Sequence, residues 1–474
     1  MKVRNPRTGA FDYEIEAFTP AAVAAQAARL RAAQPAWEAL GAEGRGAVLE
    51  RFAQAVERHA EAITAALTID TGRSKIARIE VLGLPGTLRR WIARGPQLLR
   101  GLDCTPVPST MPGIELVPRY SAYPLFGAIA PWNFPVVLSH IDAIPALMAG
   151  CAAMVKPSEV TPRFIAPMRA ALSEVPELAA VFCYVEGGAE TGQALIEAVD
   201  YVCFTGSTAT GRKVAETAAR CLIPANLELG GKDPMIVLAS ADPVRAAQTA
   251  LRAAILATGQ ACQSIERVYV ARAIAEPFLA ELVRAAKAVR LNYPDIGAGE
   301  IGPFIFAEQV GKITAQIAAA VAGGATVLAG GTVETLGGGK YLRPTVLSGV
   351  TPDMAIMADE TFGPVIPVTV FDDVAEAIAL ANHGTFGLSA AVLAGSVEEA
   401  EAVGVLLDAG AISIQDGALT SMVWDATNHS RKGSGLGPSR MGDEGLTRFL
   451  RRQSLIRQLG TPPTIAMFAE DTAS

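Results

Sequence analysis

The chain is 474 residues long, half of them hydrophobic and 18% charged, with a formal net charge of −7. So long a chain exceeds one simple core and points to about two to four packed domains; its composition excludes a disordered or fibrous protein, and its acidic balance argues against nucleic acid as a partner. Six cysteines without a CxxC pair do not make a disulfide framework and predict a reducing, cytoplasmic setting.

The N-terminal stretch MKVRNPRTGAFDYEIEAF lacks the apolar core of a signal peptide. Thr19-Pro20 has the form of an N-cap followed by proline at the first helical position, opening a helix through about Ala33. A second helix carries Leu49, Phe52, Val56, Ala60, Ile63 and Leu67 at spacings of three and four, with Gly72 placed to end it and His59 on its boundary. From Cys104 to Tyr123 short extended pieces rich in Pro and Thr predict a β-hairpin or protruding arm. The nearly uncharged stretch from Tyr123 to Val155 is interrupted by Pro124, Pro131, Pro135 and Pro145. It also carries Asn133, His140 and Asp142, which would need partners in lipid, so it is expected inside protein and not in a membrane.

The apolar runs GAIAPWNFP, CAAMVKPSE, AVFCYVEGG and YVCFTGS stop at polar or turn residues and alternate with helices, one of them over about 189–198. That alternation predicts a doubly wound parallel sheet delivering loops to a cleft at its carboxyl edge. After Val270 the alternation resumes: helices near 273–289 and 307–322, the strand ATVLAGG, PVIPVTVF, a helix from Asp373, and GLSAAVLAG. A second α/β unit of the same class is expected. The last segment, GLTRFLRRQSLIRQL, is expected to pass from a helix end into a strand. The fold class is thus α/β, with one unit over 1–103 and 124–230, a second over 231–446, and an arm and tail over 104–123 and 447–474.

Several residues in these loops carry chemistry. Glu228 stands in the apolar, Gly-rich NLELGGKDP and Cys262 follows the Gly259-Gln260 turn signal, with a strand and a helix between them that can fold back and bring thiol and carboxylate together. Such a pair suits covalent catalysis, with the carboxylate as base for the thiol or for a water; taken alone, a buried Cys more often serves as a small hydrophobe. No GxGxxG is present, and GSTATGRK from Gly206 is only a near miss of the P-loop. Gly206-Ser207 at a strand-to-helix junction suits a pyrophosphate and equally a well-capped helix. Lys156 and Glu159 in KPSE face the same crevice, where they could bond ribose hydroxyls or be an ordinary polar loop. Asn133 in PWNFP could donate to an oxyanion or satisfy its own loop. His59, His140, His383 and His429 show no metal spacing, so no metal is expected, and the absence of GxSxG disfavours a serine hydrolase.

In order, PWNFP, KPSE, FTGS, ELGGKDP, GQAC and DETFGP resemble the aldehyde dehydrogenase superfamily, the hydrolytic and not the CoA-acylating type, over about residues 5 to 455. The resemblance implies an NAD-binding domain at 1–103 and 124–230, a catalytic domain at 231–446, an oligomerisation arm and therefore a homodimer or homotetramer. It implies Cys262 as nucleophile, Glu228 as the base for the deacylating water, and Asn133 with the Cys262 backbone N–H as oxyanion hole. It implies that Lys156 and Glu159 hold the adenosine ribose, Ser207 the pyrophosphate, and Glu360 with Phe362 the nicotinamide riboside. Trp132 lines the channel, Gly188 and Gly192 pack near the adenine, and Ser158, Gly206 and Gly230 complete the cofactor set. Glu159, accepting from a ribose hydroxyl, favours NAD, with NADP possible.

Three features depart from the family pattern. The first strands are expected to be missing, WDATNHSRKGSGLG replaces the usual substrate loop, and Ile141 stands where an aromatic is often found. The substrate is expected to be a medium-sized aliphatic or aromatic aldehyde in an apolar funnel walled by Phe134, Leu138, Ile141, Leu256, Trp424 and His429. A CoA-acylating enzyme, a semialdehyde-specific enzyme and a noncatalytic protein on the same scaffold are the alternatives.

Overall fold

The computed structural model describes residues 1–470. Two twisted sheets carry the architecture. In the six-stranded sheet the parallel strands Leu125–Ile129, Ala152–Lys156, Phe182–Tyr184, Tyr201–Thr205 and Ala225–Glu228 lie in a doubly wound order: the first strand pairs with Ala152–Lys156 on one side and with Tyr201–Thr205 on the other. The winding direction therefore reverses between Leu125–Ile129 and Tyr201–Thr205, and the crevice at such a reversal is where ligands bind in open α/β sheets. The seven-stranded sheet is built on Asp233–Val237 and Ile265–Ala271 at its centre, with Val365–Phe371 and Ser389–Leu393 outside them. Asp233–Val237, Ile265–Ala271 and Ser389–Leu393 are buried throughout, as expected of a parallel sheet covered on both faces.

The short link Leu229 to Lys232 joins the carboxyl edge of the first sheet to the amino edge of the second. Residues at the ends of the first sheet's strands and residues just before the second sheet's strands consequently meet in one cleft. One strand crosses the expected division: Gly435–Leu436 pairs antiparallel with Ala225–Glu228 and so extends the first sheet from within 231–446.

The predicted helices are present with shifted ends. The first runs Pro20–Ala39, capped by Thr19 as predicted, and the second ends at Gly72 in the left-handed conformation. The Ser74–Arg100 helix has no counterpart in the sequence prediction. Pro85 and Pro96 interrupt its pattern, yet burial of Ala77, Val81, Leu84, Leu88 and Trp91 against the preceding helices outweighs the proline penalty. The expectation of missing first strands is corrected: Lys2–Arg4 pairs antiparallel with Phe11–Glu14.

The polar groups of the uncharged 123–155 stretch find protein partners. His140 Nε2 lies 2.5 Å from the Tyr184 hydroxyl, and Asp142 is paired with Arg440 and Arg448. No helix among the described residues is long and apolar enough to cross a membrane. Ile114–Ala122 pairs antiparallel along its whole length with Leu450–Gln458, and Val107–Pro108 adds a third strand. This small sheet joins segments more than three hundred residues apart.

Candidate active site

A cavity of about 580 Å³ opens along the carboxyl edge of the six-stranded sheet and runs from Gly188 to Cys262. The ends of its strands supply the lining: Ala130 to Asn133 after the first, Lys156 at the second, Thr205 to Ser207 after the fourth, and Leu229 with Gly230 after the fifth. Of the residues singled out in the sequence, Trp132, Asn133, Leu138, Lys156, Glu159, Gly188, Gly192, Gly206, Ser207, Gly230, Cys262, Glu360 and Phe362 share this one cavity.

The cavity has chemically distinct stations. At one end Lys156 Nζ pairs with Glu159 Oε2 at 3.0 Å. Ser207 caps the Thr208–Arg220 helix, its Oγ accepting from Thr210 N at 3.3 Å, so the positive end of that helix faces the cavity. Further along, Trp132 packs against Phe362 and Phe306, with ring centroids 5.4 and 5.8 Å away. The Glu360 carboxylate accepts from Gly231 N at 3.1 Å and is raised from its ordinary pKa by burial and by the neighbouring Glu266 carboxylate.

The two glycines of ELGG are required by close approach. A Cβ on Gly230 would lie 2.8 Å from both Glu360 carboxylate oxygens, and one on Gly231 would lie 2.5 Å from the Cys262 carbonyl oxygen. Gly231 thus lets the Cys262 backbone settle against the strand link, and Gly230 keeps room for the Glu360 carboxylate.

Cys262 is preceded by an unusual turn. Ala257, Thr258 and Gly259 have φ of 56°, 64° and 66°, a left-handed turn that costs a non-glycine residue roughly 1–2 kcal/mol. Side chains hold it: Thr258 Oγ1 exchanges hydrogen bonds with Gly302, and Gln260 Oε1 accepts from Ile305 N at 2.9 Å. Asn133 Nδ2 donates to the Gln260 carbonyl at 3.0 Å, which fixes the amide beside the loop that carries Cys262. Arg73, buried, donates to the carbonyls of both Asn133 and Ala257 and stacks 5.0 Å over the Phe134 ring. One guanidinium therefore ties the loop carrying Asn133 to the turn carrying Cys262.

The electrostatics keep the resting thiol protonated. Burial pushes the Cys262 thiol up to about 12, the carboxylates of Asp233, Glu360 and Glu228 add to the rise, and Arg440 opposes it. Of those three carboxylates Asp233 is bonded by Ser389 and Glu360 by Gly231 N, whereas Glu228 has the Ser430 hydroxyl, at 2.8 Å. Beneath the site, Lys232 Nζ pairs with buried Glu266 at 2.7 Å, and Glu266 accepts from Thr361 N and Phe362 N at 2.7 Å. The ELGGK, SIER and DETFGP segments are locked together by this one carboxylate.

Some expected placements are not met. Ser158 is buried with its hydroxyl accepting from Val160 N, so it shapes the KPSE turn and does not line the cavity. Ile141 is buried at the end of a short helix, Phe134 is taken up by Arg73, and Leu256 is exposed. His429 pairs with Glu444 at 3.1 Å, and neither it nor Trp424 lines the cavity. Of the proposed substrate wall, Leu138 alone reaches it. Conversely Phe306, Gln309 and Lys312 line the cavity unpredicted; Gln309 and Lys312 share one face of the Gln309–Ala322 helix and Phe306 lies in the turn just before it.

The whole of residues 1–455 matches the family model described as the aldehyde dehydrogenase family. A Mycolicibacterium smegmatis protein named "Putative succinate-semialdehyde dehydrogenase (NADP+)" is 38% identical over 91% of this chain and 84% of its own length. Betaine aldehyde dehydrogenase 1 of Rhizobium meliloti is 35% identical over 86% of this chain and 84% of its own. Among solved structures, one titled "Putative Aldehyde Dehydrogenase PutA from Anabaena variabilis" shares 49% identity and a TM-score of 0.94, covering 98% of this chain and 99% of that one. With a dinucleotide-sized cleft ending at a thiol, and with this similarity along its length, the chain belongs to the aldehyde dehydrogenase family and is an NAD(P)-dependent oxidoreductase.

Proposed function

We propose that this protein oxidises a medium-sized apolar or aromatic aldehyde to its carboxylic acid through a covalent adduct on Cys262. The observation that carries the reading is the convergence of Cys262 and an anchored Asn133 amide at one end of a cavity whose other end suits a dinucleotide. The residues present fit that cofactor. The Ser207 helix N-terminus suits a pyrophosphate, the Lys156–Glu159 pair a ribose, and the Trp132–Phe306–Phe362 group with Glu360 the nicotinamide riboside. When bound, the nicotinamide supplies a hydride acceptor.

The chain's own residues do the rest. The Cys262 sulfur adds to the aldehyde carbon, and the developing oxyanion is met by the second N–H of Asn133 Nδ2 and by the Cys262 backbone N–H. Loss of hydride leaves a thioester, which water hydrolyses with Glu228 as general base. Because burial pushes the resting thiol up to about 12, the attack needs its proton removed in concert with substrate approach.

Glu159 beside Lys156 supports NAD over NADP, since a carboxylate at the ribose repels a 2′-phosphate. The apolar side chains Leu256, Leu419, Met422 and Val423 are exposed, and the Arg252–Asp416 pair at 2.7 Å ties the start of their segment to the end of the helix that precedes Leu256. Exposed apolar side chains on this segment suit an apolar aldehyde, while of the expected wall Leu138 lines the cavity itself. The relatives named for succinate semialdehyde favour a second reading, a carboxylate-bearing substrate. That reading needs a cation near the thiol that the substrate can reach: of the cavity's lysines Lys156 is paired at the ribose station, Lys312 acts on Glu360 and Lys213 lies on the helix capped by Ser207, while Arg440 is buried against Asp142 and Thr205. The Leu450–Gln458 strand, an exposed sheet edge, supports a homodimer or homotetramer formed through the arm.

An aldehyde panel with NAD and with NADP, read as NAD(P)H absorbance against Cys262→Ala as blank, tests the reading. Fastest turnover is expected on apolar aldehydes with NAD, yielding free acid without CoA. Activity confined to short carboxylated semialdehydes, a clear NADP preference, or a CoA-dependent product would each overturn its corresponding part.

A further inference from the structure

Just after the segment WDATNHSRKGSGLG the chain places a buried cation behind the proposed base. Arg440 donates from Nη2 to Asp142 Oδ2 at 2.6 Å and to Thr205 Oγ1 at 2.7 Å, and its Nε, also buried, has no partner. Arg448 bonds the other oxygen of Asp142 and donates from Nη1 to Asn226 Oδ1 at 2.8 Å. Two guanidinium groups share one carboxylate, all three buried. One positive charge is left over, and an uncompensated charge at that depth is strongly unfavourable.

Strand register shows where the missing negative charge lies. Thr205 and Glu228 are partners across the parallel pair, and Gly435 is the partner of Glu228 on its other side. Asn226 lies two residues before Glu228 on the same strand, hence on the same face. Both arginines are therefore anchored on residues that flank Glu228. The other titratable groups acting with it are the thiols of Cys262 and Cys203, and its one side-chain hydrogen bond comes from Ser430.

We propose that Arg440, clamped by Asp142 and Thr205, is a positioning residue for Glu228: it supplies the countercharge against which the carboxylate is held to take a proton from the hydrolytic water. This rests on the reading of Glu228 as that base. In the step concerned the water oxygen bonds to the thioester carbon, the water's proton passes to Glu228, the carbon–sulfur bond breaks, and Cys262 leaves as a thiolate that recovers the proton. Oxidation has already occurred, so no electron acceptor is consumed. Arg440 also works against the upward pull on the Cys262 thiol, so the same cation favours the thiolate that departs.

Pre-steady-state NADH formation separates the outcomes. In Arg440→Gln the first-turnover burst is expected to survive, while steady-state kcat falls about ten- to a hundredfold and the acid limb of its pH profile moves to higher pH. Arg440→Lys should restore most of that limb. An unchanged pH profile in a variant that melts like the parent, or equal loss of burst and steady state, would overturn the inference. Should Arg440→Gln not fold, Thr205→Val, which removes one anchor without touching charge, must move the acid limb in the same direction; no movement overturns the inference as well. Glu228→Gln is the control for the underlying reading: if it hydrolyses the thioester normally, the base was misassigned, whereas a stalled Glu228→Gln beside an unaffected Arg440→Gln refutes the Arg440 role alone.

Discussion

The two approaches to the Cys262 sulfur are built differently. On the dinucleotide side, every station stands at a strand end or is pinned by a buried group, as Glu266 pins Thr361 and Phe362 and Arg73 pins the Asn133 loop. On the other side lies the segment from Asp416 to Ser430, largely exposed and held by the Asp416, His429 and Ser430 contacts. The dinucleotide side is over-determined, whereas residues 416–430, which we propose face the variable part of a substrate, are left adaptable. A scaffold arranged in this way can change its aldehyde without disturbing its chemistry.

The largest expected effect lies on the pinned side. Glu266→Gln strands Lys232 in the interior, and breaking such a buried pair should cost about 3–5 kcal/mol, read as a lower midpoint in chemical denaturation together with weaker cofactor binding; a change below about 1 kcal/mol would remove the pin from the comparison. Asn133→Ala should lower kcat/KM by about a hundredfold, with thermal stability near the parent's. Alkylation of the unliganded enzyme by iodoacetamide reads the thiol directly. With the Cys262 thiol held up to about 12, the thiolate fraction rises with pH, so the rate should climb about a hundredfold from pH 7 to pH 9. A plateau starting below pH 8 would mean that the thiolate is already formed. The smallest effect is expected on the adaptable side: Trp424→Ala should change the ranking of aldehydes by about tenfold or less and leave the burst intact, and a hundredfold loss on all aldehydes would erase the distinction between the two sides.

The same contrast governs what was legible in the sequence. Residues in contiguous motifs could be read because strand-end loops concentrate them: PWNFP, KPSE, FTGS, ELGG, GQAC and DETFGP all reach one cleft. Arg73, Glu266 and Arg440 could not be read, because each acquires its role from partners tens to hundreds of residues away. The left-handed turn at Ala257 and Thr258 was equally hidden, since neither residue type announces a positive φ. Most of the expected substrate wall lies outside the cavity for the opposite reason. Ile141 and Phe134 sit next to motif residues in sequence, but helical geometry and the Arg73 stack turn them to other duties.

The Ile114–Ala122 and Leu450–Gln458 pairing sets an order of events during synthesis. Both large sheets draw all their strands from residues before 437, so they can assemble while the last segment is still leaving the ribosome. Ile114–Ala122 must meanwhile wait with an open edge for a partner more than three hundred residues downstream, a contact whose loop-closure cost makes it slow to form. A nascent chain in that interval presents an unsatisfied strand edge, the species most ready to pair with the wrong neighbour. Truncation before Arg451 would make that interval permanent, and its expected mark is insolubility despite an intact pair of sheets.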